Sequence, residues 1–263
     1  MPRILTVAAL MFTVSQAFAQ SGKPLPSFEV ASIRLNKSAD SRGSVLPAPG
    51  GRFTASNVPL QYLVAAAYGI KQNFQLSGAP AWLLSERYDI EAKAAGDPSF
   101  DAMLPMLQTL LEDRLQLKFH RETKEMQVYA LAVSKPGKLR ESEAECGEQD
   151  KPAVSPCRFM IMPGHLGGQK ETIGQLVDAL SRVTDRVVLD KTNLTGKYDI
   201  SVDYTPEQSQ FEAPPGVTPA PPIDSNGASL FTALQEQLGL KLESQKGPVD
   251  ILVIDHVERP SEN

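Results

Sequence analysis

The sequence predicts an α+β protein, internally duplicated, with two tandem units that each pack two helices on a mostly antiparallel sheet. Three observations carry that prediction. Lys197-Tyr-Asp-Ile-Ser-Val-Asp-Tyr204 is a near copy of Arg87-Tyr-Asp-Ile-Glu-Ala-Lys-Ala94, 110 positions earlier. In both copies Tyr and Ile alternate with Asp and other polar residues, the period of two expected of a strand with one buried face. The flanks repeat as well: Gly51 to Ala67 lines up without gaps on Gly164 to Leu180, placing Leu63, Val64 and Ala66 on Leu176, Val177 and Ala179. Leu111 to Phe119 lines up on Leu234 to Leu242, and Val128-Tyr-Ala-Leu131 on Ile251-Leu-Val-Ile254. Finally, strand and helix periods are interleaved, in the coarse order β, β, α, β, α, β, β over the first half.

Taken in order, residues 1–19 read as an export signal. Arg3 precedes an apolar run from Ile4 to Val14, and Ala17-Phe18-Ala19 forms a small-x-small cleavage pattern ending at Ala19. The run is too short to span a bilayer, which needs about 20 residues. The first unit is assigned to residues 20–140. Phe28 to Arg34 alternates as a strand, Lys37 to Gly51 reads as a Ser, Pro and Gly loop, and Arg52 to Ser56 forms a second strand. Ser56 or Asn57 is placed to cap a helix with Pro59 in its first turn, where a missing N–H costs little. Leu60, Leu63, Val64, Ala67 and Tyr68 recur at helical spacing, and Gly69 stands where a helix ends. Gln75 to Leu84 reads as an irregular link. Asp97 or Ser99 opens the next helix, whose apolar stripe runs from Phe100 to Leu115 with Pro105 in its first turns. Strands Leu117 to Arg121 and Gln127 to Ser134 close the unit.

Residues 141–157 form a charged loop, expected to be mobile apart from a bridge between Cys146 and Cys157. In an oxidising compartment two cysteines flanking a loop are most simply a disulfide. A metal site would need histidine partners, and none of the three histidines is near Cys146 in sequence. The second unit, 158–263, repeats the first: strands at Arg158 to Met162 and from His165, a helix Glu171 to Val183, strands Val187 to Leu189 and Lys197 to Tyr204, a helix Ser229 to Leu238, and strands Lys241 to Gln245 and Val249 to Val257. It differs by residues 205–227, where six prolines predict an extended or disordered insertion.

With 31 acidic against 26 basic residues and no Lys/Arg stripe, the electrostatic footprint of a nucleic-acid binder is missing. No later apolar stretch approaches membrane-spanning length, so the mature chain is expected to be an exported periplasmic or secreted protein without a transmembrane anchor.

Asp190-Lys-Thr-Asn-Leu-Thr-Gly-Lys-Tyr-Asp-Ile200, Ser229-Leu-Phe-Thr-Ala-Leu-Gln-Glu-Gln-Leu-Gly-Leu-Lys-Leu-Glu243 and the ending Val253-Ile-Asp-His-Val-Glu-Arg-Pro-Ser-Glu-Asn263 resemble a soil-associated family of exported bacterial proteins of unknown function. Phe28-Glu-Val-Ala-Ser-Ile-Arg34 belongs to the same resemblance, which covers essentially the whole chain after the signal. It implies many paralogues per genome and no established activity. In some relatives it implies attachment of a similar domain to membrane sensor metallopeptidases of the antibiotic-receptor type, an attachment this chain is expected to lack. A weaker likeness joins the segments around Leu176 to Leu180 and Leu230 to Leu238 to the short N-terminal module of secretins and TonB-dependent receptors. That likeness is topological.

No Gly-x-Ser-x-Gly elbow, His-Glu-x-x-His or phosphate-binding glycine loop is present. Gly164-His-Leu-Gly-Gly168 reads as a turn or bulge. His120 is expected on the solvent side of its strand. His256 and Asp255 are strand neighbours, so their side chains face opposite ways and cannot easily pair. Asp89 and Asp199 could form a carboxylate pair across a pseudo-twofold axis; the simpler expectation is a solvent-side residue or the cap of a neighbouring turn.

These observations predict a non-enzymatic binding or assembly module of the bacterial envelope, requiring no cofactor or metal. Its partner would be an envelope protein, peptide or glycan, contacted through the cleft between halves and the Gln75 to Leu84 link, with Tyr68, Phe74 and Trp82 as binding residues. Two alternatives stand beside it: an envelope hydrolase using Asp89, Asp199 or His256, and a sensor partner of a separately encoded membrane metallopeptidase.

Overall fold

The structure, a computed structural model, describes residues 25–38, 43–146, 157, 159–206 and 227–260. The export signal ending at Ala19 and most of the proline-rich insertion lie outside the described residues. The first half runs β1 (Val30–Leu35), β2 (Ser44–Ala48), β3 (Arg52–Pro59), α1 (Leu60–Tyr68), β4 (Leu76–Ser77), α2 (Ala81–Ser85), β5 (Arg87–Lys93), α3 (Phe100–Leu115) and β6 (Lys118–Val133). The second runs β7 (Arg140–Glu141), β8 (Met160–Met162), β9 (His165–Thr172), α4 (Ile173–Val183), β10 (Val188–Asp190), β11 (Lys197–Asp203), α5 (Leu230–Ala233) and β12 (Leu240–His256). A π-helical turn, Leu234–Leu238, prolongs α5.

The α+β class is therefore observed, in three four-stranded sheets. The two outer sheets are antiparallel and have the orders β1-β5-β3-β2 and β7-β11-β9-β8. β5 and β11 hold the second place, and β3 and β9 the third, in these two orders. The middle sheet, β10-β6-β12-β4, draws strands from both halves. Its spine is the antiparallel pair β6 and β12, 16 and 17 residues long. Short β4 adds to β12 and β10 to β6, each in parallel and each from the opposite half of the chain.

This sharing decides where the core sits. Leu60, Leu63 and Val64 on α1 and Met103, Leu107 and Leu111 on α3 pack with Phe53 and Ile90 of the first outer sheet, and Leu252 and Ile254 of β12 join them. Leu176 and Leu180 on α4 and Leu230 and Leu234 pack with Leu166 and Ile200 of the second, joined by Leu131 of β6. A third cluster, Val128 of β6 with Val249 and Ile251 of β12 and Val187, is built on the spine strands. Truncating a fully buried leucine in either main cluster to Ala should cost about 2–5 kcal/mol. The halves are also tied by polar contacts: the Gln72 amide donates to the carbonyls of Ser181 and Thr184 at the end of α4, and Lys71 pairs with Asp178.

Several elements differ from the sequence expectation. The Lys37 to Gly51 loop contains β2, and the start of the charged loop contains β7. Predicted strands on either side of Thr123–Glu125 merge into β6, and those on either side of Gly247-Pro248 merge into β12. The reason is mutual pairing: Thr123 lies opposite Asp250, Lys124 opposite Val249, and Glu125 opposite Pro248. Pro248 is tolerated because β4 pairs only with Leu252 and Val253, so its missing N–H deprives no neighbouring strand. Gly247 is closely approached: a Cβ there would meet the side-chain ends of Leu189 and Val128 at 2.9 and 3.0 Å. Helix α1 is not capped by Ser56 or Asn57; Pro59 holds the N-cap position without a side-chain bond. Ser99 does cap α3, whereas the Asp97 carboxylate accepts the N–H groups of Gly50 and Gly51 in the β2–β3 turn. The cysteines behave as expected: Cys146 and Cys157 form a disulfide.

Candidate functional site

The Gln75 to Leu84 link is more ordered than its composition suggests, and it holds the residues singled out for binding. A 3-10 turn, Asn73–Gln75, precedes β4, and α2 follows Pro80. The Gln75 amide donates to the Asp250 carbonyl, which anchors the link to the middle sheet. Tyr68, at the end of α1, turns inward: its ring meets Phe119 edge-on at 4.6 Å and its hydroxyl donates to Glu112 at 2.8 Å. Burial, reinforced by the Glu112 carboxylate, pushes its phenol well above the ordinary tyrosine value. It is a core residue. Phe74 is exposed, and Trp82 is half-buried against the first core cluster. Among the described residues no ring contact joins these three aromatics.

Trp82 instead belongs to a different constellation. Its ring lies 5.2 Å from the Arg259 guanidinium, a cation–π distance. Glu86, next in chain after α2, accepts from Arg259 Nη2 on Oε1 at 2.8 Å and from Nε on Oε2 at 3.1 Å, the two-pronged geometry that guanidinium and carboxylate prefer, with Nε also 3.1 Å from Oε1. The Tyr88 hydroxyl donates to Glu86 Oε2 at 2.8 Å, beside the Arg259 Nε bond to the same oxygen. Hydrogen bonds from Arg259 and then Tyr88 hold the Glu86 carboxyl below the usual carboxylate range. Leu83, fully buried, pins α2 to the core and Leu84 stands exposed; the Gln61 amide of α1 donates to the Leu84 carbonyl at 3.5 Å, and Tyr62, next in chain to Gln61, is exposed as well.

Asp89 and Asp199 are not brought together. Each sits opposite a bulge in its own outer sheet: Ser56 and Asn57 face Asp89, and Gln169 and Lys170 face Asp199. Asn57 and Lys170 both adopt left-handed backbone, φ 56° and 60°. In each case the aspartate accepts the N–H of that residue, at 2.8 Å for Asp89 and 3.3 Å for Asp199. Asp89 also takes two bonds from Asn36 and one from Ser56. Burial acts to raise its pKa, but these hydrogen bonds outweigh it and the carboxyl is held low. Both aspartates therefore fasten a bulge.

The histidines are likewise dispersed on strand surfaces. His120 Nδ1 pairs with Asp255 across the β6–β12 ribbon at 2.8 Å and Nε2 with Glu122 at 3.3 Å, and these two carboxylates raise its pKa. His256 pairs with Glu258, and His165 with Asp203 on the neighbouring strand. Asp255 and His256 thus take different partners. Among the described residues no group of three or more His, Cys, Asp or Glu side chains is placed to hold a metal ion, and no helix is long and apolar enough to cross a membrane.

Residues 61–257 match the family described as "Protein of unknown function (DUF3738)". The chain belongs to that family. The match includes both long spine strands, α1 from its second residue, α2 to α5 and the Gln75 to Leu84 link, and stops short of Arg259. No curated protein and no solved structure matches the chain.

Sequence reasoning missed Glu86 and Arg259. Glu86 adjoins the duplicated Tyr-Asp-Ile strand, and Arg259 lies in the Val253 to Asn263 ending, but they are separated by 173 positions. No local spacing connects them; only the folding of the chain end onto α2 does.

Proposed function

We propose that this chain is an exported binding or assembly module of the bacterial envelope, built from two copies of one α+β unit, which engages its partner through the surface around α2. The observation that carries the binding surface is the concentration of exposed apolar side chains there. Leu84 on α2, two positions after the half-buried Trp82, is 42% exposed, and Tyr62 on α1, next to the Gln61 whose amide donates to the Leu84 carbonyl, is 53% exposed. Large apolar groups left in water beside an ordered aromatic are a common mark of an interaction site. The duplication is supported by the shared strand orders, the bulges at Asn57 and Lys170, and the helix ends at Gln116 and Gly239, which both take left-handed backbone. Export is supported by the small-x-small pattern at Ala19 and is consistent with the Cys146–Cys157 disulfide, which persists in an oxidising compartment.

The test is capture from an envelope extract by the chain from Gln20 to Asn263, compared with a Tyr62→Glu, Leu84→Glu double variant. Both substituted residues are exposed, so the variant keeps its fold, checked by circular dichroism. A protein, peptide or glycan held by the first and released by the second supports the surface. Equal capture by both removes it, and recovery of cleaved fragments in place of an intact partner returns attention to a hydrolytic role.

A further inference from the structure

After β12 ends at His256 the chain does not leave the molecule. Val257 packs on the first core cluster, the Glu258 N–H donates to the Leu115 carbonyl at 2.7 Å, and Arg259 reaches across α2. Its guanidinium meets an aromatic face on one side and a carboxylate edge on another, with Tyr88 holding that carboxylate in place. A planar ring and a properly turned carboxylate are what selects guanidinium over ammonium, because only the flat fork can stack and bond in two places at once. The occupant is lightly held, however: the Arg259 side chain is 59% exposed, whereas that of Glu86 is 30% exposed. The receptor half is the more secluded and the ligand half the freer.

We propose that Trp82, Glu86 and Tyr88 form an arginine-recognition site, filled in cis by Arg259, that exchanges this residue for an arginine side chain delivered by a partner polypeptide. The inference rests on the α2 surface reading and names the chemistry that surface accepts. Tyr62 and Leu84 would contact the apolar neighbours of the incoming arginine. Tethering sets the strength of the competition: a residue three positions beyond a strand end competes at an effective concentration on the order of millimolar. Partners offering a lone arginine are thereby rejected, and those adding apolar contacts are admitted.

Trp82 is the only tryptophan in the chain, so its emission reports on the site directly. The wild-type chain and Arg259→Ala are titrated with N-acetyl-arginine amide, and with N-acetyl-lysine amide as control. In Arg259→Ala the arginine probe should change Trp82 emission saturably, at an apparent affinity roughly tenfold or more above wild type, while the lysine probe does not. Adding Glu86→Gln to Arg259→Ala should abolish the response. Arg259→Lys keeps the charge but not the fork, and should respond as Arg259→Ala does. Equal responses of wild type and Arg259→Ala, no response in Arg259→Ala, or equal responses to both probes would each overturn the proposal. So would a wild-type dimer that Arg259→Ala dissolves, since a second copy's chain end would then be the occupant. If capture from the envelope extract depends on Tyr62 and Leu84 but the arginine probe fails, the surface stands and the guanidinium assignment falls; if the probe binds and capture does not occur, the reverse holds.

Discussion

Replacing Asp89 by Ala, with Asp199→Ala as its internal control, tests whether these duplicated aspartates act as bulge clamps. Asp89 accepts two bonds of 2.9 Å from Asn36, one of 2.8 Å from the Asn57 N–H and one of 3.3 Å from Ser56. Among the described residues Asp199 accepts one bond, 3.3 Å from the Lys170 N–H, at an exposed position. Hydrogen bonds to a charged group contribute about 1.5–3 kcal/mol each when secluded. Asp89 is half-buried, so water competes for its partners and screening reduces that figure. The group that suffers most is the Asn57 N–H, which is held in a left-handed bulge and loses its acceptor. About 2–3 kcal/mol for Asp89→Ala and at most about 0.5 kcal/mol for Asp199→Ala are therefore expected. In a chain of this size each kcal/mol shifts the Tm by about 2–4 °C, so the two variants should separate clearly in thermal unfolding followed by Trp82 emission. The pH dependence has a definite sign. The Asp89 carboxyl is held low in the folded state, so its contribution is present above the unfolded value, about 3.9, and is lost as pH falls through the folded one. The gap between wild type and Asp89→Ala should stay level from pH 7 to 5 and close on further acidification. Equal costs for the two aspartates, or a gap that widens in acid, would refute the clamp.

The two helix ends that precede the spine strands make a second paired prediction. Gln116 and Gly239 both stand in left-handed backbone, φ 48° and 67°. Gln116→Gly relieves strain and should stabilise by up to about 1 kcal/mol. Gly239→Ala should destabilise by more than about 2 kcal/mol, because its Cβ would be driven into the Lys135 carbonyl as well as strained; urea unfolding midpoints measure both. The Cys146–Cys157 bridge closes a short loop, eleven positions from end to end. Its reduction should cost about 2–3 kcal/mol, read as a lower midpoint in dithiothreitol, with no change in a Cys146→Ser, Cys157→Ser variant.

The sequence by itself determined the main helices and several strands of both halves, because period and punctuation act over a few residues. The Tyr88 and Tyr198 strands, the α1 and α4 helices with Leu63 and Leu176 buried at equivalent places, the stop at Gly69 and the caps at Ser99 and Ser229 all follow from alternation, helical spacing and side-chain capping. The aspartates were visible as a duplicated position, yet their role was not, since Asn57 and Lys170 become bulged only when β3 and β9 take their register against β5 and β11. Tertiary structure alone decided the rest. Thr123 to Glu125 and Gly247-Pro248 have poor strand character, and they are extended because each lies opposite the other in the spine. Leu131 and Leu252, each from one half, are needed to complete the core of the other. Arg259 finds Trp82 and Glu86 only when the chain end crosses α2. Pairings of this kind depend on groups far apart in the chain, and local periodicity carries no information about which distant partner will satisfy a hydrogen bond, an apolar face or a charge.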